Sequence, residues 1–180
     1  MTTRGENNWI LCGFMGCGKT TVGQRLAALS GRPFVDMDAY IEQEAGRSVT
    51  EIFHEEGEEG FRSRERAACR ELAQRGGLVL ATGGGALTFA ENVEVLSRTG
   101  TIILLEVSPE TLLKRLSADT TRPLLAGDDR ETKLRTLYAA RLPLYRQAAD
   151  WSVNGDCPPD ELALQLMKRL RAAENGVQKS

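Results

Sequence analysis

The stretch Gly13-Phe14-Met15-Gly16-Cys17-Gly18-Lys19-Thr20 is a complete G-x-x-x-x-G-K-[ST] match, and its residue types suit the holding of a phosphate chain. Glycines at 13, 16 and 18 let the backbone curl until its N–H groups face one point, where the following helix adds its positive end. Lys19 would reach the outer phosphates, and the Thr20 hydroxyl would ligate the magnesium that travels with a nucleoside triphosphate. A glycine-rich strand-to-helix turn that binds no nucleotide is the bland alternative, and it leaves Lys19 and Thr20 without a purpose. Asp36 and Asp38 form a second site. Two apart on an extended segment, they turn both carboxylates to one side, Asp36 toward the metal and Asp38 toward the proton of an attacking hydroxyl. Either acid could instead cap the helix that starts near Ala39.

Guanidinium groups supply the complementary charge. Arg62 stands at the edge of an apolar stripe, with Glu65 one turn on and able to hold it. Arg141 lies within a stripe formed by Leu134, Leu137, Tyr138 and Tyr145, and a buried arginine needs an anionic partner. A structural ion pair to an internal acid remains the alternative for both. By composition Arg122 is a solvated loop arginine; delivered by a closing loop, it would neutralise the transferring phosphoryl group and exclude water. His54, the one histidine, sits among glutamates and reads as exposed or capping. Cys17 reads as a small loop filler.

The elements that must position these groups follow from periodicity. Trp9-Ile10-Leu11-Cys12 reads as a buried strand, and Val22, Leu26 and Leu29 recur at helical spacing after the loop. Phe34-Val35 opens a second strand that ends in Asp36-Met37-Asp38. Ala39 to Ala45 is a helix stopped by Gly46, and Ser48-Val49-Thr50-Glu51 is a capping box for another that Gly57 closes. Glu58 to Gln74 continues as helix with Phe61, Ala68 and Leu72 on one face. Leu78 to Ala81 is a third strand, running into Thr82-Gly83-Gly84-Gly85, where a ligand or another backbone could come very close.

Thr88-Phe89-Ala90-Glu91 then reads as the cap of the next helix, and Thr101 to Val107 as a fourth strand. Ser108-Pro109-Glu110 opens a helix, followed by a lid-like loop at residues 119–129 that is long by ordinary standards. Arg130 to Ala149 is a long helix that Pro143 should kink. A short fifth strand at Trp151 to Val153 and a helix from Pro159 to Ala173 complete an α/β pattern. Five strands alternating with helices give a parallel sheet covered on both faces, its carboxyl ends gathering the P-loop, the acid pair and the glycine triplet around one cleft.

Length and composition set the bounds. A chain of 180 residues fits one domain that buries about 70% of its unfolded surface without a disulfide or metal staple. The net charge of −2 argues against an electrostatic nucleic-acid binder. Four cysteines without C-x-x-C spacing fit reduced thiols in a cytoplasm. Met1 to Asn8 is polar with no apolar signal core behind it, and no stretch is long enough to span a bilayer.

With these residues in view, the sequence resembles the shikimate kinases over nearly its whole length. Gly13 to Thr20 is similar to that family's P-loop, Phe34 to Asp38 to its strand-two acid pair, and Gly57-Glu58-Glu59-Gly60-Phe61-Arg62 to its Gly-Glu-x-x-Phe-Arg segment. Ala81 to Gly85 resembles its glycine triplet, Arg122-Pro123-Leu124-Leu125 its lid, and Arg141-x-x-x-Tyr145 its second substrate arginine. The resemblance implies a P-loop, nucleoside-monophosphate-kinase-like domain spanning residues 1–180, with a lid at about 119–129 and a substrate-binding helical segment at about 38–74. It implies ATP as co-substrate, with Gly16, Cys17, Gly18, Lys19, Thr20, Thr21, Arg115 and Arg122 around the nucleotide and Arg115 against the adenine. Thr20 and Asp36 would hold Mg²⁺. Shikimate would meet Asp38, Arg62, Gly83, Gly84, Gly85 and Arg141, with Lys19, Asp38 and Arg122 acting in transfer to its 3-hydroxyl.

A cytoplasmic monomer with no nucleic-acid or membrane partner is expected. Two departures stand out: Asp156-Cys157-Pro158-Pro159 occupies a place where some members carry an arginine near the adenine, and Asn154 stands where an acid is frequent. Another small P-loop kinase, acting on gluconate or a nucleoside monophosphate, and a non-catalytic nucleotide-binding module are the competing readings.

Overall fold

The computed structural model describes residues 7–119, 123–125 and 127–177. Its five strands are β1 (Asn8–Cys12), β2 (Phe34–Asp36), β3 (Val79–Ala81), β4 (Gly100–Glu106) and β5 (Trp151–Asn154), all parallel in the order β2-β3-β1-β4-β5. The central strand explains the order. Every residue of β1 is buried, as a strand covered by helices on both faces requires, so its sequence from Trp9 to Cys12 is apolar without alternation. Ile10 pairs with Leu80 on one side and Ile102 on the other. The chain passes from β1 to β2 on one side and from β3 past β1 to β4 on the other, and that reversal opens a crevice at the carboxyl ends of the strands.

Helices α1 (Lys19–Ser30), α2 (Met37–Ala45), α3 (Val49–Ala73), α4 (Ala90–Ser97), α5 (Pro109–Leu116), α6 (Arg130–Ala148) and α7 (Pro159–Val177) cover the sheet. Short 3₁₀ turns occupy Ala86–Thr88 and Pro123–Leu125. Each expected strand is present, and most boundaries follow local chemistry. Gly31 and Gly46 end α1 and α2 in the left-handed region, and the Ser48–Glu51 capping box opens α3 with both reciprocal bonds formed. Ser108 caps α5 through the Thr111 N–H at 3.3 Å. Helix α6 continues as one element through Pro143.

Two local expectations are corrected. Thr88 does not cap α4: its hydroxyl donates to the Gly85 carbonyl at 2.7 Å, closing the 3₁₀ turn, and Phe89 takes the N-cap position with no side-chain bond. The acid pair is not one extended segment either. Asp36 ends β2 and caps α2, its Oδ1 accepting from the Ala39 N–H at 3.1 Å, so the chain turns helical at Met37 and Asp38 sits in the first turn of α2.

Gly57 interrupts α3 at φ 71 and ψ −177, a conformation essentially reserved for glycine. A Cβ there would meet nothing within 4 Å, so the requirement is one of backbone alone. Gly57→Ala should therefore destabilise the fold by about 1–3 kcal/mol, read as a lower urea midpoint with an unchanged m-value. An unchanged midpoint would show that the bend between the two halves of α3 needs no glycine.

Candidate active site

The loop between β1 and α1 encloses one side of a cavity of about 430 Å³. Gly13, Gly16 and Gly18 have φ of 147, 79 and 98, values that side chains resist. Gly18 is the N-cap of α1 and offers no side chain to its N–H groups, nor does the first turn hold an acid. The dipole end of α1 is left facing the cavity, which is what an anion requires. Gly16, Cys17, Gly18, Lys19, Thr20 and Thr21 all line it. Lys19 is buried, with Nζ 2.7 Å from the Gly13 carbonyl and 3.0 Å from that of Phe14.

Thr20 donates its hydroxyl to Asp36 Oδ2 at 2.6 Å. Asp36 thus serves two groups at once, one oxygen on α2 and the other on the P-loop threonine, which fixes the distance between β2 and α1. At the far end Arg115 also lines the cavity and donates to the Gly16 carbonyl at 3.3 Å. Gly155, Cys157 and Pro159 complete that end. Asn154, in place of an acid, accepts the Asp156 N–H at 2.9 Å and so forms a turn that sets these residues against the cavity. Burial deep beside the loop pushes the Cys12 thiol up to about 12, despite the opposing charge of Lys19. It is a packed thiol and not a nucleophile.

A second cavity, of about 830 Å³, opens beside the first and shares Met15, Thr20, Asp36, Asp38 and Gly84 with it. Arg62, Glu65, Gly85 and Arg141 line this one alone. Arg62 and Arg141, on α3 and α6, are 6% and 7% exposed, so the two guanidinium groups and Asp38 meet around one space as the sequence anticipated. Arg62 Nη1 contacts both oxygens of Glu65, at 2.7 and 2.6 Å, and Nη2 reaches Glu58 at 3.2 Å. The internal acid and the cavity-facing position, which had stood as alternatives for Arg62, are both realised.

Glu65 is the residue whose importance the sequence understated. It is completely buried. Burial pushes its carboxyl up from the ordinary glutamate value; Arg62 and Arg141 pull it back, while Asp38 adds to the rise. One acid is thus felt by every charged group expected around the acceptor. Its place was detectable, because Phe61, Glu65, Ala68 and Leu72 share the buried face of α3.

The glycine triplet works by close approach, since none of its members has a positive φ. A Cβ on Gly83 would lie 2.9 Å from Asp38 Oδ1 and 3.3 Å from Glu65 Oε1. Gly83 lines neither cavity and acts from behind the wall. A Cβ on Gly84 would lie 3.3 Å from the Met15 nitrogen, and one on Gly85 would lie 2.6 Å from Arg62 Nη1. Of the lid, Leu124 lines the acceptor cavity and Leu125 is buried, while Arg130 holds the carbonyl of Leu116 at 3.0 Å at its base. Arg122 lies outside the described residues. His54 is exposed.

A parallel sheet with a P-loop after its central strand, and an acid- and guanidinium-lined cavity beside that loop, defines a P-loop kinase of small molecules. A family profile described as shikimate kinase matches residues 15–171. The shikimate kinase of Symbiobacterium thermophilum is 51% identical over 167 residues, covering 91% of this chain and 96% of that one. That of Cupriavidus pinatubonensis is 45% identical over 170 residues, covering 94% and 88%. A solved shikimate kinase from Acinetobacter baumannii, in complex with shikimate, superposes with a TM-score of 0.90 at 43% identity, over 93% of this chain and 94% of that one. The chain belongs to the shikimate kinase family and is an ATP-dependent kinase.

Proposed function

We propose that this enzyme moves the γ-phosphoryl group of ATP to the 3-hydroxyl of shikimate by direct in-line transfer, with no phosphoenzyme. One observation carries the reading: Asp38, Arg62 and Arg141 line a single cavity whose wall is shared with the P-loop cavity. Two guanidinium groups suit a carboxylate, gripped in their planar forks. Asp38 lines both cavities, where it can take the proton of the attacking hydroxyl. Lys19 and the N–H groups of Gly16 to Thr21 hold the phosphates, with Arg115 beside the base and Arg122 arriving from the lid. Gly83, Gly84 and Gly85 bring the wall up to the acceptor. Transfer then depends on alignment and charge neutralisation, with little covalent work for the protein.

Thr20 and Asp36 fit Mg²⁺, since a hydroxyl and a carboxylate oxygen stand 2.6 Å apart beside the phosphate loop. Among the described residues no group of three or more metal-type side chains gathers. Magnesium suits such a site, because it keeps several waters and takes further ligands from the phosphates. Held there by Thr20 and Asp36, it would supply positive charge to offset that of the phosphates. The chain reads as one domain over residues 1–180, working as a cytoplasmic monomer without nucleic-acid or membrane partners. Among the described residues no helix is long and apolar enough to cross a membrane.

The test is ADP release with Mg-ATP and shikimate, gluconate or nucleoside monophosphates offered in turn. Shikimate alone should support turnover: a nucleoside monophosphate has no carboxylate for the paired guanidinium groups, and the flexible chain of gluconate does not hold its acid and a hydroxyl at the fixed separation that a ring imposes. Absence of turnover with shikimate would end the proposal.

A further inference from the structure

Tyr145 lies near the carboxyl end of α6, 2% exposed, with two polar groups at its hydroxyl. The Gly84 carbonyl accepts from it. Arg141, one turn earlier on the same helical face, places its charge close enough to act on that oxygen. A carbonyl only accepts and a guanidinium only donates, so the phenol gives its one proton to Gly84 and keeps a lone pair for an N–H of Arg141. Burial raises the phenol well above the ordinary tyrosine value, against the opposing charge of Arg141, so the proton that makes this relay stays in place at physiological pH.

The two partners belong to different parts of the site. Gly84 is in the wall shared by both cavities, packed against Met15 of the P-loop, whereas Arg141 lines the acceptor cavity alone. A long arginine side chain beside a roomy cavity has several rotamers, and ordering it costs up to about 2 kcal/mol. Because α6 is also held to the loop by the Phe14–Tyr138 ring pair, with centroids 5.6 Å apart, the helix itself is fixed. The guanidinium still needs an anchor, and the phenol supplies it.

We propose that Tyr145 is a positioning residue for the acceptor: its hydroxyl ties the Arg141 guanidinium to the Gly84 carbonyl and so sets the carboxylate grip in register with the phosphate loop. The inference rests on the acceptor assignment made above. Its specific content is that the hydroxyl acts through Arg141 on a carboxylate, and not on the fold at large.

Tyr145→Phe removes a single oxygen. In the full chain, KM for shikimate should rise about tenfold with kcat changed far less, the pattern of lost uniform binding. KM for Mg-ATP should hold, and the melting temperature should fall by no more than the loss of one hydrogen bond to the Gly84 carbonyl accounts for. The discriminating probe is shikimate methyl ester as a competitive inhibitor, which lacks the anion that Arg141 would grip. Its inhibition constant should be the same for parent and variant. Equal weakening of acid and ester, or an unchanged KM for shikimate, would overturn the proposal. If Tyr145→Phe fails to fold, 3-fluorotyrosine at position 145 keeps the shape but weakens the oxygen as an acceptor. The acid should then bind about twofold more weakly while the ester does not; no difference between acid and ester would overturn the idea there too. A parent enzyme inert toward shikimate would bring down the acceptor assignment itself, a result separate from an active parent whose variant behaves normally.

Discussion

Asp38→Asn is expected to lower kcat with shikimate by about 10²–10⁴-fold while KM for Mg-ATP stays close to that of the parent. The two side chains have nearly the same volume, and the amide oxygen can still accept a hydrogen bond. What asparagine cannot do is take a proton as the acceptor oxygen attacks. Asp38 sits in the first turn of α2, in the wall common to the phosphate and acceptor cavities, and beside Gly83 with no room for a Cβ between them. A group so placed faces the reacting oxygen of any acceptor whose far end is held by Arg62 and Arg141. The nucleotide contacts proposed above come from the P-loop and from Thr20 with Asp36, whose mutual bond Asp38→Asn leaves in place. Near-normal turnover would remove proton handling from Asp38 and leave it as an orienting group. Equal losses in kcat and nucleotide binding would instead point to damage at α2, whose cap is Asp36 two residues away.

The division of labour between Asp36 and Asp38 marks where sequence reasoning stops. The P-loop, the Ser48–Glu51 capping box and the stop at Gly46 are local devices, each complete within a few residues, and each stands as read. The acid pair depends on whether the chain stays extended past Asp36. Extended and helical continuations both place carboxylates near the crevice, and only the bond from Ala39 to Asp36 decides between them. Thr88 shows the same limit. Its hydroxyl suits a helix cap, yet the turn after the glycine triplet presents the Gly85 carbonyl closer.

Convergence of Arg62 and Arg141 was legible for a different reason. Both interrupt or border apolar stripes, and burial of a guanidinium is costly enough to imply a purpose. Their neighbours were legible in part, because Glu65 and Tyr145 stand one turn on along the same helices; the spacing named Glu65 as the holder of Arg62, while the depth of its burial is set by tertiary packing. Glu65 carried the better signal, standing as an acid on the same face as Phe61, Ala68 and Leu72. Arg115 and the Asn154 turn, at the other end of the phosphate cavity, come from α5 and the end of β5, which no sequence pattern connects to the P-loop.

Gly85→Ala tests that packing with a single methyl group, and kcat/KM for shikimate should fall about 100-fold. Gly85 has φ −104 and ψ −7, which alanine adopts readily, so the backbone has no reason to object. The obstacle is spatial: the new Cβ would lie 2.6, 2.7 and 2.8 Å from Nη1, Nη2 and Cζ of Arg62. Ordinarily the tip of an arginine swings aside at little cost. Here it is held by both oxygens of a completely buried Glu65, and Phe61 and Phe89 stand 5.4 and 5.6 Å from it. The guanidinium must therefore shift by about an ångström within that cage, enough to spoil a two-pronged grip on a carboxylate. Gly57→Ala is the converse case, with open space and a forbidden backbone, and it should cost stability and spare the site. Gly85→Ala should keep its KM for Mg-ATP, because the P-loop cavity includes neither Gly85 nor Arg62. A value of kcat/KM within a few-fold of the parent would mean that Arg62 has freedom to move that its contacts deny, and that the acceptor is held by Arg141 alone.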